Sequence, residues 1–319
     1  MIERILNKLL REYNRFRWGH FQLKRELEPN NVMTIVGDPR GGTTWLAEII
    51  QSIPKTEILW EPLLLEREPT FKNLNFSYRQ FISENASEPK IKASFEKLFS
   101  GKILNSYLCQ FTKPMEIKNC SQLVVKFCRA NQLLPWLTHE FNFNYLPLYI
   151  VRHPCAVVAS QLKKGGWDKV SNQFEIPYDK PYSEFYTQHE SYLLSLDTKI
   201  KKLAATWCLC NSVPLNHNEN NKKWITITYE SLIMDGIQQL KRIEDKWRIE
   251  FPESAFSKLN KASTSTVKGS PILDGKGSQL KYWQKQLSEK QINEIREVLN
   301  YFKIHLYNVN SPLPTISFQ

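Results

Sequence analysis

The sequence predicts an α/β fold in three layers, with a central parallel sheet of about five strands and helices on both faces. Three observations carry this expectation. Short β-branched runs alternate with longer stretches of helical character. One run, residues 146–151, is apolar almost without interruption, as a strand buried on both faces should be. The first strand also runs into a glycine-rich turn that opens a helix.

Taken in order, residues 1–30 space Ile2, Ile5, Leu6, Leu9 and Leu10 as on one helix face, with Glu3, Arg4, Lys8 and Arg11 between them. That pattern predicts an amphipathic helix packed on its own domain; it lacks the unbroken apolar stretch of a signal peptide. Strands are expected at 32–36, 57–60, 122–127, 146–151 and 224–228, and a first helix at 46–51. Residues 66–121 form a long, aromatic-rich insertion including Phe71, Tyr78, Phe95, Tyr107 and Phe111. It suits a helical cover over an acceptor, although aromatic core packing explains the same composition. Helices follow at 182–216, 231–248 and 288–302, the last announced by a capping box of Ser288 and Gln291. No repeat or linker divides the chain, so one domain over residues 1–319 is expected.

Composition excludes several classes. With 41% hydrophobic and 24% charged residues, 11 Gly and 17 Pro, the chain is not disordered, collagen-like or a coiled coil. No window offers the roughly 18 to 20 apolar residues of a transmembrane helix. A net charge of +11 favours an anionic partner. Nucleic acid is not expected, because zinc-finger spacing, RNA-binding aromatic patterns and Lys/Arg tracts are all missing. The six cysteines contain no C-x-x-C pair and read as buried free thiols in a reducing, cytoplasmic setting.

The stretch Met33 to Trp45 carries the most chemistry. Gly37, Gly41 and Gly42 permit close backbone approach, Thr43 and Thr44 add hydroxyls, and the following helix N-terminus completes an anion site. Against the phosphate-binding pattern G-x-x-x-x-G-K-[ST], Gly37, Gly42 and Thr44 fit, but Thr43 replaces the lysine and the cation stands back at Arg40. A nucleoside triphosphatase needs that lysine, so this P-loop-like core is expected to hold another nucleotide. A second element runs from Leu146 to Ser160, where Arg152 ends the buried strand and Ser160 follows two helical turns later. A guanidinium fork with a hydroxyl makes a second phosphate site, taken as separate from the turn at Arg40.

With these motifs the chain resembles the sulfotransferases that use 3′-phosphoadenosine 5′-phosphosulfate (PAPS). The resemblance implies that the turn Gly37 to Thr44 holds the 5′-phosphosulfate, and that Arg152 and Ser160 hold the 3′-phosphate. It extends to Thr226-Ile-Thr-Tyr-Glu-Ser-Leu232 and to Lys276-Gly-Ser with Trp283, and leaves the insertion unmatched. It further implies that Trp45 and Tyr229 face the nucleotide, although either also suits a packing role. Lys276 and Gly277 would reach the 3′-phosphate, unless Lys276 is a solvated loop lysine.

Sulfuryl transfer to a hydroxyl needs an in-line acceptor, a base and cations for the leaving phosphate. Arg40 suits the last task. The histidine base of the cytosolic members is absent, since the matching residues are Lys126-Phe127-Cys128. The segment Ile58 to Leu63 resembles the F-E-P-L segment of carbohydrate sulfotransferases, which makes Glu61 the expected base, or else an ion-pair partner of Arg40. Lys126 is expected at the sulfuryl oxygens and Arg129 at nucleotide or acceptor. His153 is expected to cap the next helix and His139 to sit in the core. The acceptor implied is a carbohydrate or a small polar natural product. A P-loop-type small-molecule kinase and a non-catalytic nucleotide-binding module are the alternatives.

Overall fold

Five strands, β1 (Met33–Gly37), β2 (Thr56–Trp60), β3 (Gln122–Phe127), β4 (Leu148–Val151) and β5 (Ile225–Thr228), form one parallel sheet in the order β2-β3-β1-β4-β5. The computed structural model describes Leu23 and residues 26–164, 171, 173–264, 266 and 276–318. The helix expected over residues 1–30 therefore lies almost wholly outside the described residues. β3 has its expected bounds, and the other strands start or stop one or two residues from theirs, as element ends do.

Side chains alternate between the faces of each strand, and here both faces are largely buried. Met33, Ile35, Val124, Leu148, Ile150, Ile225 and Ile227 pack on one side against α1 (Thr43–Ile50), α6 (Tyr229–Met234), α7 (Gly236–Trp247) and α8 (Glu253–Lys258). Val36, Val125, Phe127, Tyr149 and Val151 pack on the other against α2 (Pro89–Phe99), α3 (Leu134–Glu140), α4 (Pro154–Lys164), α5 (Lys199–Asn216) and α10 (Glu289–Tyr301). The chain is thus an α/β fold whose parallel sheet lies between two helical layers. Among the described residues no helix is long and apolar enough to cross a membrane. All six cysteines are free and buried.

Two expected helices are divided. The stretch 182–216 becomes two short helices, Glu184–Thr187 and Glu190–Leu194, and then α5. Thr198 starts α5 afresh, its hydroxyl accepting from Lys201 N–H at 3.2 Å. The stretch 231–248 begins early at Tyr229, with Thr228 capping Ser231 N–H at 3.1 Å, and breaks at Asp235 between α6 and α7. The capping box of Ser288 and Gln291 stands at the start of α10 as expected. His139 does not join the core; it lies exposed on α3. In the insertion the helices are short apart from α2, and Phe71, Phe95 and Phe99 are fully buried.

Candidate functional site

All five strands point their carboxyl ends the same way, and the pairs Trp60 with Lys126, Val36 with Phe127, Gly37 with Ile150 and Val151 with Thr228 align those ends. A parallel sheet gathers ligand sites along this edge, where the connections diverge to either side. The turn after β1, Glu61, Cys128, Arg152 and Tyr229 just after the other strands, and Lys126 near the end of β3 all lie there.

The turn itself is tightly built. A Cβ on Gly37 would come within 2.5 Å of the Ile150 carbonyl, and one on Gly42 within 2.5 Å of the Tyr229 ring. Gly42 caps α1 at φ 101°, a conformation that costs glycine little. Gly41 N–H donates to the Asp38 carbonyl at 2.8 Å, closing the turn. Arg40 is forced to φ 74°, which a non-glycine residue adopts only under constraint. α1 begins at Thr43, three residues before its expected start, so Thr43 and Thr44 form its first turn and both are buried.

The two expected phosphate sites prove to be in direct contact. Arg40 Nε donates to Ser160 Oγ at 2.9 Å, and Arg152 NH1 donates to the Arg40 carbonyl at 3.1 Å. Burial, and then the Arg152 charge, hold the Arg40 guanidinium below its ordinary value. The Arg152 guanidinium carbon lies 4.2 Å from the Tyr229 ring centre, a cation–π contact, while its buried Nε has no hydrogen-bond partner. Tyr229 also meets Trp45 edge to face at 5.7 Å and accepts from Gln279 on α9 (Lys276–Lys281) at 2.6 Å. Trp45 is 9% exposed and donates from its indole to the Lys258 carbonyl, so it serves both the core and the rim of the site. Lys276 opens α9, and Gly277 beside it has open space around its Cα.

Glu61 has different partners from the expected one. It does not pair with Arg40, because β3 lies between β2 and β1. Its Oε1 accepts from Lys126 Nζ, and its Oε2 accepts from Cys128 N–H at 3.0 Å and from Arg129 at 3.4 Å. Burial alone would raise the Glu61 carboxyl, but Lys126 and then Arg129 hold it below the ordinary carboxylate range. Like Arg40, Glu61 adopts a left-handed backbone, with φ 48°. Lys126 packs 3.8 Å from the Trp60 ring centre, and Arg129 stacks on Tyr78 at 4.6 Å. Thr43 Oγ1 lies 3.2 Å from Cys128 Sγ, which in turn is 3.4 Å from Lys126 Nζ. Burial pushes the Cys128 thiol up to about 11, so it stays protonated at neutral pH.

His153 caps α4, its Nδ1 accepting Cys155 N–H at 3.2 Å, and its ring stacks on Trp283 at 4.8 Å. Burial lowers it to about 4, and with Nδ1 engaged by Cys155 N–H and Nε2 facing the Asn308 carbonyl at 3.4 Å, neither ring nitrogen is open to an acceptor's proton. Two residues without a role in the sequence reading emerge here. Glu230 accepts from His153 N–H at 3.0 Å and from Tyr307 Oη at 2.7 Å, tying the end of β4 to the C-terminal segment. Asp38 is buried inside the turn; a carboxylate within a glycine-rich anion turn was the signal for it.

Fold and site together define a parallel α/β protein whose glycine-rich turn, with Arg40, Ser160 and Arg152 in contact at it, stands at the carboxyl edge of the sheet. No protein-family model matches the chain, and no curated protein matches it. Among solved structures it is similar to the sulfotransferase domain of the Synechococcus PCC 7002 olefin synthase, with 16% identity and TM-score 0.44 over 90% of this chain and 100% of that one. It is also similar to the sulfotransferase domain of the curacin biosynthetic pathway, with 15% identity and TM-score 0.46 over 88% and 99% of the two chains. Mouse sulfotransferase SULT7A1, solved with PAP, shows 14% identity and TM-score 0.44 over 86% and 84%.

Proposed function

We propose that the chain is a sulfotransferase that moves a sulfuryl group from PAPS to a hydroxyl of a carbohydrate or small polar natural product. The observation that carries this reading is the contact between the turn after β1 and the end of β4. Arg40, Ser160 and Arg152 meet within hydrogen-bond distance at a helix N-terminus, and the turn lacks the lysine of a triphosphatase. Two guanidinium groups that disfavour each other suit a ligand with several negative charges. The Arg152 Nε left without a partner is a donor such a ligand can use.

In this reading the backbone of residues 37–44 and the hydroxyls of Thr43 and Thr44 cradle the 5′-phosphosulfate. Arg152 and Ser160 take the 3′-phosphate, with Lys276 and Gly277 beside it, and Trp45 and Tyr229 flank the base. PAPS supplies an activated sulfuryl group with a good leaving phosphate. Arg40 stabilises charge on that phosphate, Lys126 orients the sulfuryl oxygens, and Glu61 accepts the acceptor's proton. Glu61 is ionised at neutral pH, as a base must be. Its basicity becomes available when Lys126 turns from it to the sulfuryl oxygens.

The deciding experiment compares thermal shifts with adenosine 3′,5′-bisphosphate (PAP) and with ATP plus Mg²⁺. The bisphosphate is expected to stabilise the protein more at equal concentration; a larger shift with ATP would favour the kinase reading. In Arg152→Ala, bisphosphate binding should weaken by about 1.5 to 3 kcal/mol, the worth of a charge-assisted bond. Binding of adenosine 5′-phosphosulfate, which lacks the 3′-phosphate, should change much less by calorimetric titration. Equal losses for both ligands would assign Arg152 to holding the Arg40 carbonyl instead.

A further inference from the structure

A carboxylate inside an anion-binding turn calls for a reason. Asp38 directly follows Gly37, is 3% exposed, and its Oδ2 accepts from Asn211 Nδ2 on α5 at 2.5 Å. Asn211 cannot turn away. Its Nδ2 also donates to the Trp207 carbonyl at 2.7 Å, and its Oδ1 accepts from Tyr149 Oη at 2.5 Å and from Asn131 Nδ2 at 3.1 Å. The Asp38 carboxyl is therefore fixed beneath the turn, against a neutral amide. Among the described residues no cation lies within ion-pair distance of it.

The titratable groups facing Asp38 come from three elements. Arg79 in the insertion acts on it through space, and Tyr149 on β4 and Cys208 and Cys210 on α5 feel its charge. Tyr149, Cys208 and Cys210 are all raised by burial and stay neutral near pH 7. Burial, opposed by Arg79 and the Asn211 bond, raises the Asp38 carboxyl from 3.8 to about 6. It is mostly ionised at neutral pH yet close to protonation. A second anion placed in the same turn makes its ionised form costlier still.

We propose that binding of a phosphate or sulfate in the 37–44 turn is coupled to uptake of a proton by Asp38, which thereby sets how donor and product affinity depend on pH. This rests on the reading of the turn as the donor's phosphosulfate site. The proton comes from solvent, no bond to the ligand forms, and release of the product returns it. At neutral pH the Asp38 charge works against retention of the bisphosphate product and so favours its departure. Linkage fixes the sign: affinity for the anion falls as pH rises through the Asp38 titration.

The test pairs wild type with Asp38→Asn, which keeps the shape and can still accept the Asn211 bond. Calorimetry with PAP at pH 7, in two buffers of different ionisation enthalpy, counts protons. Wild type is expected to take up about 0.2 to 0.4 of a proton more per site than the variant. The variant should bind about three- to tenfold tighter at pH 8, the difference closing near pH 5. It should also gain more in melting temperature at pH 8 than at pH 5. A raised carboxyl supports the fold fully below about pH 4, and that support is lost as pH rises through about 6.

Because phosphates titrate in the same range, a second arm uses inorganic sulfate, a dianion throughout, and needs only wild-type protein. Its affinity should fall from pH 5 to pH 8. Equal proton counts in the two proteins, weaker binding by the variant at every pH, or a flat sulfate profile would each overturn the proposal. If sulfate binds with the expected pH profile while PAP does not bind, the donor reading fails and the coupling at Asp38 stands. If neither binds, both fail.

Discussion

Replacing Glu61 by glutamine is expected to lower sulfuryl transfer at saturating donor by about 10² to 10⁴, the usual cost of losing a general base. The amide has nearly the same shape but cannot take the acceptor's proton. The substitution also removes the carboxylate from a lysine that is 1% exposed. Breaking a buried pair at one end costs up to about 3 to 5 kcal/mol, and less here because the amide oxygen still accepts from Lys126. Melting temperature is therefore measured beside turnover. A purely structural Glu61 predicts a lower melting temperature with turnover per folded molecule retained. A catalytic Glu61 predicts loss of turnover at temperatures where the variant is fully folded.

The pH profile adds an independent check. Glu61 is held below the ordinary carboxylate range chiefly by Lys126, so the acid limb of turnover in wild type should lie at low pH. In Lys126→Met that limb should move to higher pH, because the base has lost its strongest neighbouring charge. An unmoved limb would mean that some other group takes the proton.

The parts of the site that were legible in the sequence are those written locally. Gly37 to Thr44 lie on one turn, and Arg152 and Ser160 are joined by one helix, so spacing alone put each pair together. The contacts between such pieces were not legible, because they depend on strand order. Arg40 and Ser160 are 120 residues apart, and Asp38 and Asn211 are 173 apart. Nothing in either local stretch announces its partner. Glu61 shows the physics most directly. Reading it beside Arg40 assumed that β1 and β2, consecutive in sequence, are neighbours in space; β3 lies between them and supplies Lys126 and Arg129 instead. His139 failed differently: its helix is apolar, but the histidine falls on the outward side. The fold class was legible because short β-branched runs alternate with helical stretches and the β4 run is apolar on both faces, properties each segment carries by itself.

Arg40→Ala is expected to cut turnover by about 10² to 10³, equivalent to about 2.7 to 4 kcal/mol of transition-state stabilisation, while bisphosphate affinity falls less than tenfold. The asymmetry follows from where charge grows: the leaving phosphate gains it only as the bond to sulfur breaks. Structure keeps the experiment clean. The bond from Arg152 goes to the main-chain carbonyl of residue 40, so alanine retains it and the end of β4 stays tied to the turn. Ser160 loses its 2.9 Å partner but is half-buried and can turn to water. Removing Arg40 also relieves Arg152 of a like charge, which works against any loss of product affinity. Arg40→Lys should fall between wild type and alanine, since an ammonium keeps the charge but not the planar Nε donor aimed at Ser160. Should both variants weaken bisphosphate binding with turnover at saturation unchanged, Arg40 is a binding residue, and charge on the leaving phosphate is met by the turn's backbone and Lys126.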